Sequence, residues 1–177
     1  MEERLGDLVD FTGSQNKTGS NSTYVRKWWE TALSTIGPDR KWVLYAKGGG
    51  SRKWWGMLSD VVDWSKSARE FYRKNQGSNL LSSEYWYRDG ITYSELTSND
   101  STFRLMPEGC VYDMAGPAFH PHPTKQALLL GAVNGIVARK VFRLLNPTIH
   151  LQSRDVKNLP IPKFSEEQQR IIENIVR

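Results

Sequence analysis

The chain has 177 residues, a formal net charge of +5 and a pI near 9.3, with 38% hydrophobic and 24% charged residues. That length suits one domain, or one domain with a docking extension, and the charge favours a polyanionic partner. Cys110 is the only cysteine, which excludes an internal disulfide and any zinc site built on several thiolates. The longest apolar stretch, Ala127 to Ala138, contains Asn134 and is too short to span a bilayer. The N-terminus carries no export signal, so the sequons at Asn16, Asn21 and Asn99 are expected to be silent and the protein cytoplasmic.

Residues 12–23 are polar and rich in turn formers, and read as a flexible loop. Lys41 to Ala46 reads as a strand, Gly48-Gly49-Gly50 as a tight bend, and Trp54 to Trp64 as a strand or extended run. Ser65 to Asn75 is a short helix. Glu84 to Arg88, Ile91 to Tyr93, Thr102 to Met106 and Cys110 to Tyr112 are short, aromatic or β-branched, and separated by Gly, Pro or Asn. They suggest an irregular, mostly antiparallel sheet. Thr124 is placed to cap a helix with Leu129, Val133, Val137 and Val141 on one face, which Asn146-Pro147 stops. An extended link, Thr148 to Pro162, leads to Ser165-Glu166-Glu167-Gln168, the spacing of a capping box. The helix it opens carries Ile171, Ile172, Ile175 and Val176, a stripe that needs a surface to dock on. The fold class is α+β, with packed helices and an amphipathic C-terminal helix.

Much familiar chemistry is missing. Gripping a flipped adenine takes a loop of Asn-Pro-Pro and an aromatic ring, and Asn146-Pro147-Thr148-Ile149 lacks the second proline and the ring. It reads as a helix stop. No glycine loop with a distal acid suggests a site for S-adenosylmethionine, and the triple glycine lacks P-loop spacing. His120 and His122, in Phe119-His120-Pro121-His122-Pro123, match no common metal-ligand pattern and read as a surface loop. His150 reads as a structural histidine.

What is present lies in the first third. From Lys17 to Lys53, eight Lys or Arg residues face two acids, Glu30 and Asp39, a local excess of +6. Arg26 and Lys27 precede Trp28-Trp29, and Lys47-Gly48-Gly49-Gly50-Ser51-Arg52-Lys53-Trp54-Trp55 joins cations, glycines and indoles. Such a loop lets main chain approach phosphate while Lys and Arg displace counterions. Arg52 has the fork to read guanine, and Trp54 or Trp55 the ring to wedge or stack. The same run also reads as a solvated basic face beside core tryptophans. A second group, Thr92, Tyr93, Ser94 and Arg104, offers hydroxyls and a guanidinium near strand ends, either for contact or for turn capping and an ion pair.

These residues carry a resemblance. Thr18-Gly19-x-Asn21 with Tyr24-Val25-Arg26-Lys27-Trp28-Trp29-Glu30, then Trp42-x-x-Tyr45-x-Lys47-Gly48-Gly49, Arg52-Lys53-Trp54-Trp55-Gly56 and Val61-Val62-Asp63-Trp64, resemble successive blocks of one family. Gly90-Ile91-Thr92-Tyr93-Ser94, Phe103-Arg104, Pro107-x-Gly109 and Asp113 resemble a third block. Asn134, Asn146-Pro147-Thr148 and Asp155-Val156-x-Asn158-Leu159-Pro160-Ile161-Pro162 resemble the closing segment. The order is that of the target-recognition region of large adenine-specific DNA methyltransferases, the BREX phage-defence enzymes and their Eco57I-like restriction relatives. Ser20 and Tyr93 depart from it, where Asp and Trp are common.

The resemblance implies a lead-in at 1–17, a DNA target-recognition domain at 18–162 and a docking helix at 163–177. It implies contacts to double-stranded DNA by Arg26, Lys27, Lys47, Gly48, Gly49, Ser51, Arg52, Lys53, Trp54, Thr92, Tyr93, Ser94 and Arg104. It implies no catalysis by this stretch itself, with S-adenosylmethionine held by an associated methyltransferase domain or subunit. Two other readings stay open: a metal-dependent nuclease using Asp60, Asp63, Asp113 or the His120 and His122 pair, and a module binding an acidic protein such as a DNA mimic.

Overall fold

A computed structural model describes residues 3–11, 15–96 and 101–176. Positions 12–14 of the turn-rich stretch and the Asn99 sequon lie outside the described residues. In chain order the elements are β1 (Glu3–Arg4), α1 (Leu5–Leu8), β2 (Val9–Phe11), α2 (Asn21–Tyr24), β3 (Val25–Lys27), β4 (Trp42–Ala46) and β5 (Asp60–Asp63). Then follow α3 (Lys66–Lys74), β6 (Gly90–Tyr93), β7 (Phe103–Met106), β8 (Cys110–Tyr112), β9 (Ala118–Pro121), α4 (Gln126–Asn134) and α5 (Ile136–Leu145). The chain closes with α6 (Ser153–Lys157), β10 (Pro160–Ile161) and α7 (Glu166–Val176). The α+β class is as the sequence suggests.

Two four-stranded sheets carry the molecule. The first runs β2-β9-β6-β7 and is antiparallel throughout; the second runs β3-β5-β4-β8, with β8 parallel to β4. Each has its own core, and β6, β8 and β9 are buried on both faces. Ile91, Phe103 and Phe119 of the first sheet pack on Leu129, Val133 and Phe142. Val43, Tyr45 and Val62 of the second pack with Trp64, Ala68 and Tyr72. Ser65 caps α3 by accepting from the Ala68 amide at 3.3 Å, which is why that helix starts where it does.

Several expectations need correcting. Residues 15–23 are not a loose loop: the Asn16 amide donates to the Tyr112 carbonyl, Lys17 and Asn79 exchange main-chain bonds, and Asn16 and Thr18 are buried. Glu84 to Arg88 forms no strand; Ser83–Tyr85 is a single helical turn, and the Trp86 indole nitrogen donates to the Leu81 carbonyl at 2.7 Å. The helix after Thr124 breaks at Gly135, whose ψ of 158° is extended. The break changes the helical phase, so Ala138 and Phe142 face the core while Val137 is 71% exposed. His122, not Thr124, caps the turn that leads into α4. The link from Thr148 to Pro162 contains α6 and β10.

The ends of the chain join the same body. β1 pairs with β10, and Leu5 lies in the first core. The Ser165 and Gln168 capping box forms, with Ser165 N–H donating to Gln168 Oε1 at 2.9 Å and Gln168 N–H to Ser165 Oγ at 3.3 Å. α7 lies on α4 because Gly131 has no side chain: a Cβ there would press on Ile172 and Val176. Phe103 is the centre of the first core, stacked on Phe142 at 5.6 Å and tilted on Tyr93 at 5.4 Å. Phe103→Ala should cost about 3–5 kcal/mol in urea unfolding; a loss below about 1 kcal/mol would show that the two sheets do not depend on it.

Candidate functional site

Strand register gathers the first candidate group. Lys27 pairs with Asp60, Asp60 with Tyr45, and Tyr45 with Val111, one row across the second sheet. β3 and β4 therefore leave the sheet at the same end, where the Trp28–Glu30 turn and the glycine bend follow. The opposite end holds the pair Trp42 and Asp63, with Arg40 and Lys41 just before Trp42. The basic first third is thus not one surface. Arg40 and Lys41 stand apart from Lys27, Lys47, Arg52 and Lys53, because a strand of this length carries its two ends in opposite directions.

The cations at the useful end differ in freedom. Lys27 pairs with Asp60 at 2.9 Å, and Lys47 sits 3.8 Å from Asp113. The Arg26 guanidinium turns back onto the carbonyls of Ser22 and Val25, both at 2.7 Å. Arg52 and Lys53 make no ion pair among the described residues.

The bend itself is built from left-handed backbone. Gly48, Gly49 and Gly50 have φ of 70°, 79° and 65°, followed by Trp54 at 74°, Gly56 at 111° and Met57 at 62°. Gly48 is required twice over, since a Cβ would run into the Ala115 carbonyl and the adjoining Gly116. Gly49 has open space around it and is exposed, as are Gly50, Ser51 and Arg52. Trp54, a poor residue for positive φ, is held there by pairing with β7: its N–H donates to the Phe103 carbonyl and its carbonyl accepts from Leu105, both at 2.9 Å.

Four indoles stand in or near solvent: Trp28 42%, Trp29 60%, Trp54 44% and Trp55 58% exposed. Trp28 and Trp29 meet edge to face at 5.5 Å. The sequence leaves Trp54 and Trp55 open between a contact role and a place in the core, and does not mark Trp28 and Trp29 as contact residues. The doublet opens the Trp28–Glu30 turn that follows β3, outside both cores. Trp54 also lines an apolar groove of about 420 Å³ between α4, α5 and α7, with Ile136, Val137 and Ile175 around it.

The second candidate group lies beneath the first. Thr92, Tyr93, Ser94 and Arg104 are all buried, so none offers its side chain to a ligand outside. Thr92 and Tyr93 lie on β6, an interior strand flanked by β9 and β7, while Ser94 and Arg104, the latter on the edge strand β7, lie under the glycine bend and the Trp54 bridge. Arg104 donates from one terminal nitrogen to the carbonyls of Arg52 (3.1 Å) and Gly49 (3.4 Å), and from the other to Ser94 Oγ at 2.7 Å. Ser94 Oγ in turn donates to the Gly49 carbonyl at 2.9 Å. Thr92 donates to the Gly116 carbonyl, and the Tyr93 hydroxyl meets that of Ser153, both at 3.0 Å. The two groups are one assembly, an exposed bend with a buried support, and burial pulls the Arg104 pKa down.

The acids and histidines are not brought together. Asp60 and Asp63 sit at opposite ends of β5, the first paired with Lys27 and the second accepting from the Ser65 amide at 2.9 Å. Asp113 is buried and accepts the Tyr45 hydroxyl at 2.6 Å; burial first, and then Asp113, push the Tyr45 pKa well up, while the hydrogen bond that the Asn16 side-chain amide donates to that hydroxyl opposes them. His120 is no surface-loop residue. It lies buried in β9, within 2.7 Å of the Asp89 carbonyl and stacked on Tyr85, and burial lowers its pKa. His150 is exposed and bridges Leu96. The Cys110 thiol is buried and pushed up to about 12. No group of three potential metal ligands occurs among the described residues, and no helix among them is long and apolar enough to cross a membrane. Asn146 ends α5 and ties down the following turn through His150 and Asp155.

No family model matches the chain. It is 30% identical over 167 residues to the adenine-specific methyltransferase PglX of Lacticaseibacillus casei (strain Zhang), covering 85% of this chain. It is 26% identical over 152 residues to the adenine-specific methyltransferase BrxX of Escherichia coli O9:H4 (strain HS), covering 82% of this chain. The chain is homologous to a region of BREX-type adenine-specific methyltransferases. It spans only 14% and 12% of the lengths of those two relatives.

Gly48 and Gly49 make a contrast within the bend. Gly49→Ala meets only the left-handed backbone and should cost about 1 kcal/mol. Gly48→Ala adds a backbone collision and should cost at least about 2 kcal/mol more in urea unfolding. Equal losses for the two variants would contradict the close approach of Gly48 to Ala115.

Proposed function

We propose that this chain is the DNA sequence-recognition part of a BREX-type adenine-specific methyltransferase, positioning the target adenine for a catalytic domain in the same or another polypeptide. The observation that carries this reading is the exposed glycine bend, flanked by Arg52 and Lys53, which make no ion pair among the described residues, and by solvent-facing indoles, in a chain homologous to a region of such enzymes. Phosphate contacts by Lys and Arg set register on a duplex, and base-edge contacts then supply sequence information. Lys47, Ser51, Arg52 and Lys53 suit the first task, and the Arg52 fork also suits the guanine edge. Trp28, Trp29 and Trp55 have exposed rings suited to stacking where the duplex is distorted. Methyl transfer and S-adenosylmethionine belong, in this reading, to the catalytic domain.

The apolar groove is assigned to that catalytic partner. Ile136, Val137 and Ile175 remain exposed around it although α7 docks on α4. The nuclease alternative has no comparable support, since Asp60, Asp63, Asp113 and His120 are dispersed and already engaged.

Duplex binding measured by fluorescence anisotropy between about 50 and 200 mM salt tests the reading. Affinity should fall steeply with salt. An Arg52→Ala, Lys53→Ala double variant should reduce the slope by about 2. Ile175→Asp should leave duplex binding unchanged while removing co-purification with the methyltransferase polypeptide. Absent or salt-independent binding would overturn the proposal.

A further inference from the structure

We propose that Arg104 is a positioning residue that shapes the 48–53 bend into a cradle for a phosphodiester, with the Gly50 and Lys53 amides as its donors. The inference rests on the DNA-recognition reading and names the group that the bend receives. Arg104 and Ser94 draw the Gly49 carbonyl inward, and Arg104 draws in the Arg52 carbonyl. In a trans peptide the C=O and the following N–H point in opposite directions, and the described residues contain no cis bond. Holding those two carbonyls towards the interior therefore turns the N–H groups of Gly50 and Lys53 away from it. Neither amide donates to another group among the described residues. Left-handed glycine backbone makes this arrangement accessible.

Charge gives the cradle its sign. Arg104 is fully buried, its bonds go to carbonyls and a hydroxyl, and no carboxylate pairs with it among the described residues. Guanidinium stays protonated in proteins, so a full positive charge lies behind the two amides where water screens it poorly. Arg52 and Lys53 add mobile cations at the rim. A neutral ligand gains nothing from this field. A phosphodiester presents two non-bridging oxygens that share one negative charge, one oxygen for each amide, and free phosphate shares that chemistry.

The test uses the full chain labelled with nitrogen-15, titrated separately with a short duplex and with inorganic phosphate. The duplex should move the Gly50 and Lys53 amide resonances downfield, with phosphate doing so only at far higher concentration. Ser94→Ala keeps the buried charge but removes one hold on Gly49, and Arg104→Lys keeps the charge but loses the fork. Both should weaken duplex binding by about tenfold and lower the salt slope by about 1, with circular dichroism unchanged. If Arg104→Lys does not fold, Ser94→Ala and Gly49→Ala decide the question. Wild-type affinity and slope in folded variants would overturn the proposal. So would duplex saturation without movement of the two amides, an outcome that leaves the DNA-recognition reading standing. Movement with phosphate but no duplex binding would keep the cradle and sink the DNA reading; neither response would sink both.

Discussion

One buried guanidinium joins the two halves of this fold at the place where function is expected. Arg104 belongs to the edge strand of the first sheet, and the carbonyls it holds belong to the loop leaving the second. Removing a charge from water costs several kcal/mol unless polar groups surround it. Two carbonyls and the Ser94 hydroxyl supply that surrounding, at the expense of fixing the loop in one shape. Loss of the loop shape and loss of the buried charge's solvation are therefore the same event. This coupling explains why a bend of three glycines, the most pliable residues available, can present a defined surface.

The neighbouring contacts reinforce it. Trp54 extends the first sheet by one bridge, so the loop is anchored at both its glycine end and its indole end. Gly48 lies against Ala115 and Gly116, and Thr92 holds the Gly116 carbonyl from below. Residues 47–57 are thereby clamped between a strand edge and the turn after β8, while Ser51 and Arg52 remain in solvent. Preorganisation of this kind lowers the ordering cost of binding a partner.

Sequence alone revealed the strands whose pattern is local. β4, β7 and β8 fall within a residue of expectation, because short apolar runs rich in aromatic or β-branched residues and bounded by Gly or Pro state both type and limits. The capping box at Ser165 was equally legible. What could not be read were features fixed by distant partners. Asn16 and Thr18 look like turn residues, yet both are buried where Asn16 pairs with Asp113, Lys17 with Asn79, and the Ser78 hydroxyl donates to the Thr18 carbonyl. His120 sits in a proline-flanked run that suggests a loop, yet β2 and β6 enclose it on both sides. Thr92, Ser94 and Arg104 are open in the sequence between contact and a structural role, and the structure buries them, with Ser94 and Arg104 bonded to the glycine bend. Local sequence shows a guanidinium but not the direction it faces. Splitting of the basic first third between two ends of one sheet was hidden for the same reason.

The central claim is that the end of the fold bearing the bend and the exposed indoles faces duplex DNA. Oxidative footprinting of the chain, with and without saturating duplex, reads the solvent access of each tryptophan directly. The account predicts strong protection of Trp28, Trp29 and Trp55, while the buried Trp64 and the Ile136 and Val137 surface of the groove stay as they were. Unchanged oxidation of all three indoles in a saturated complex, with protection elsewhere, would contradict it.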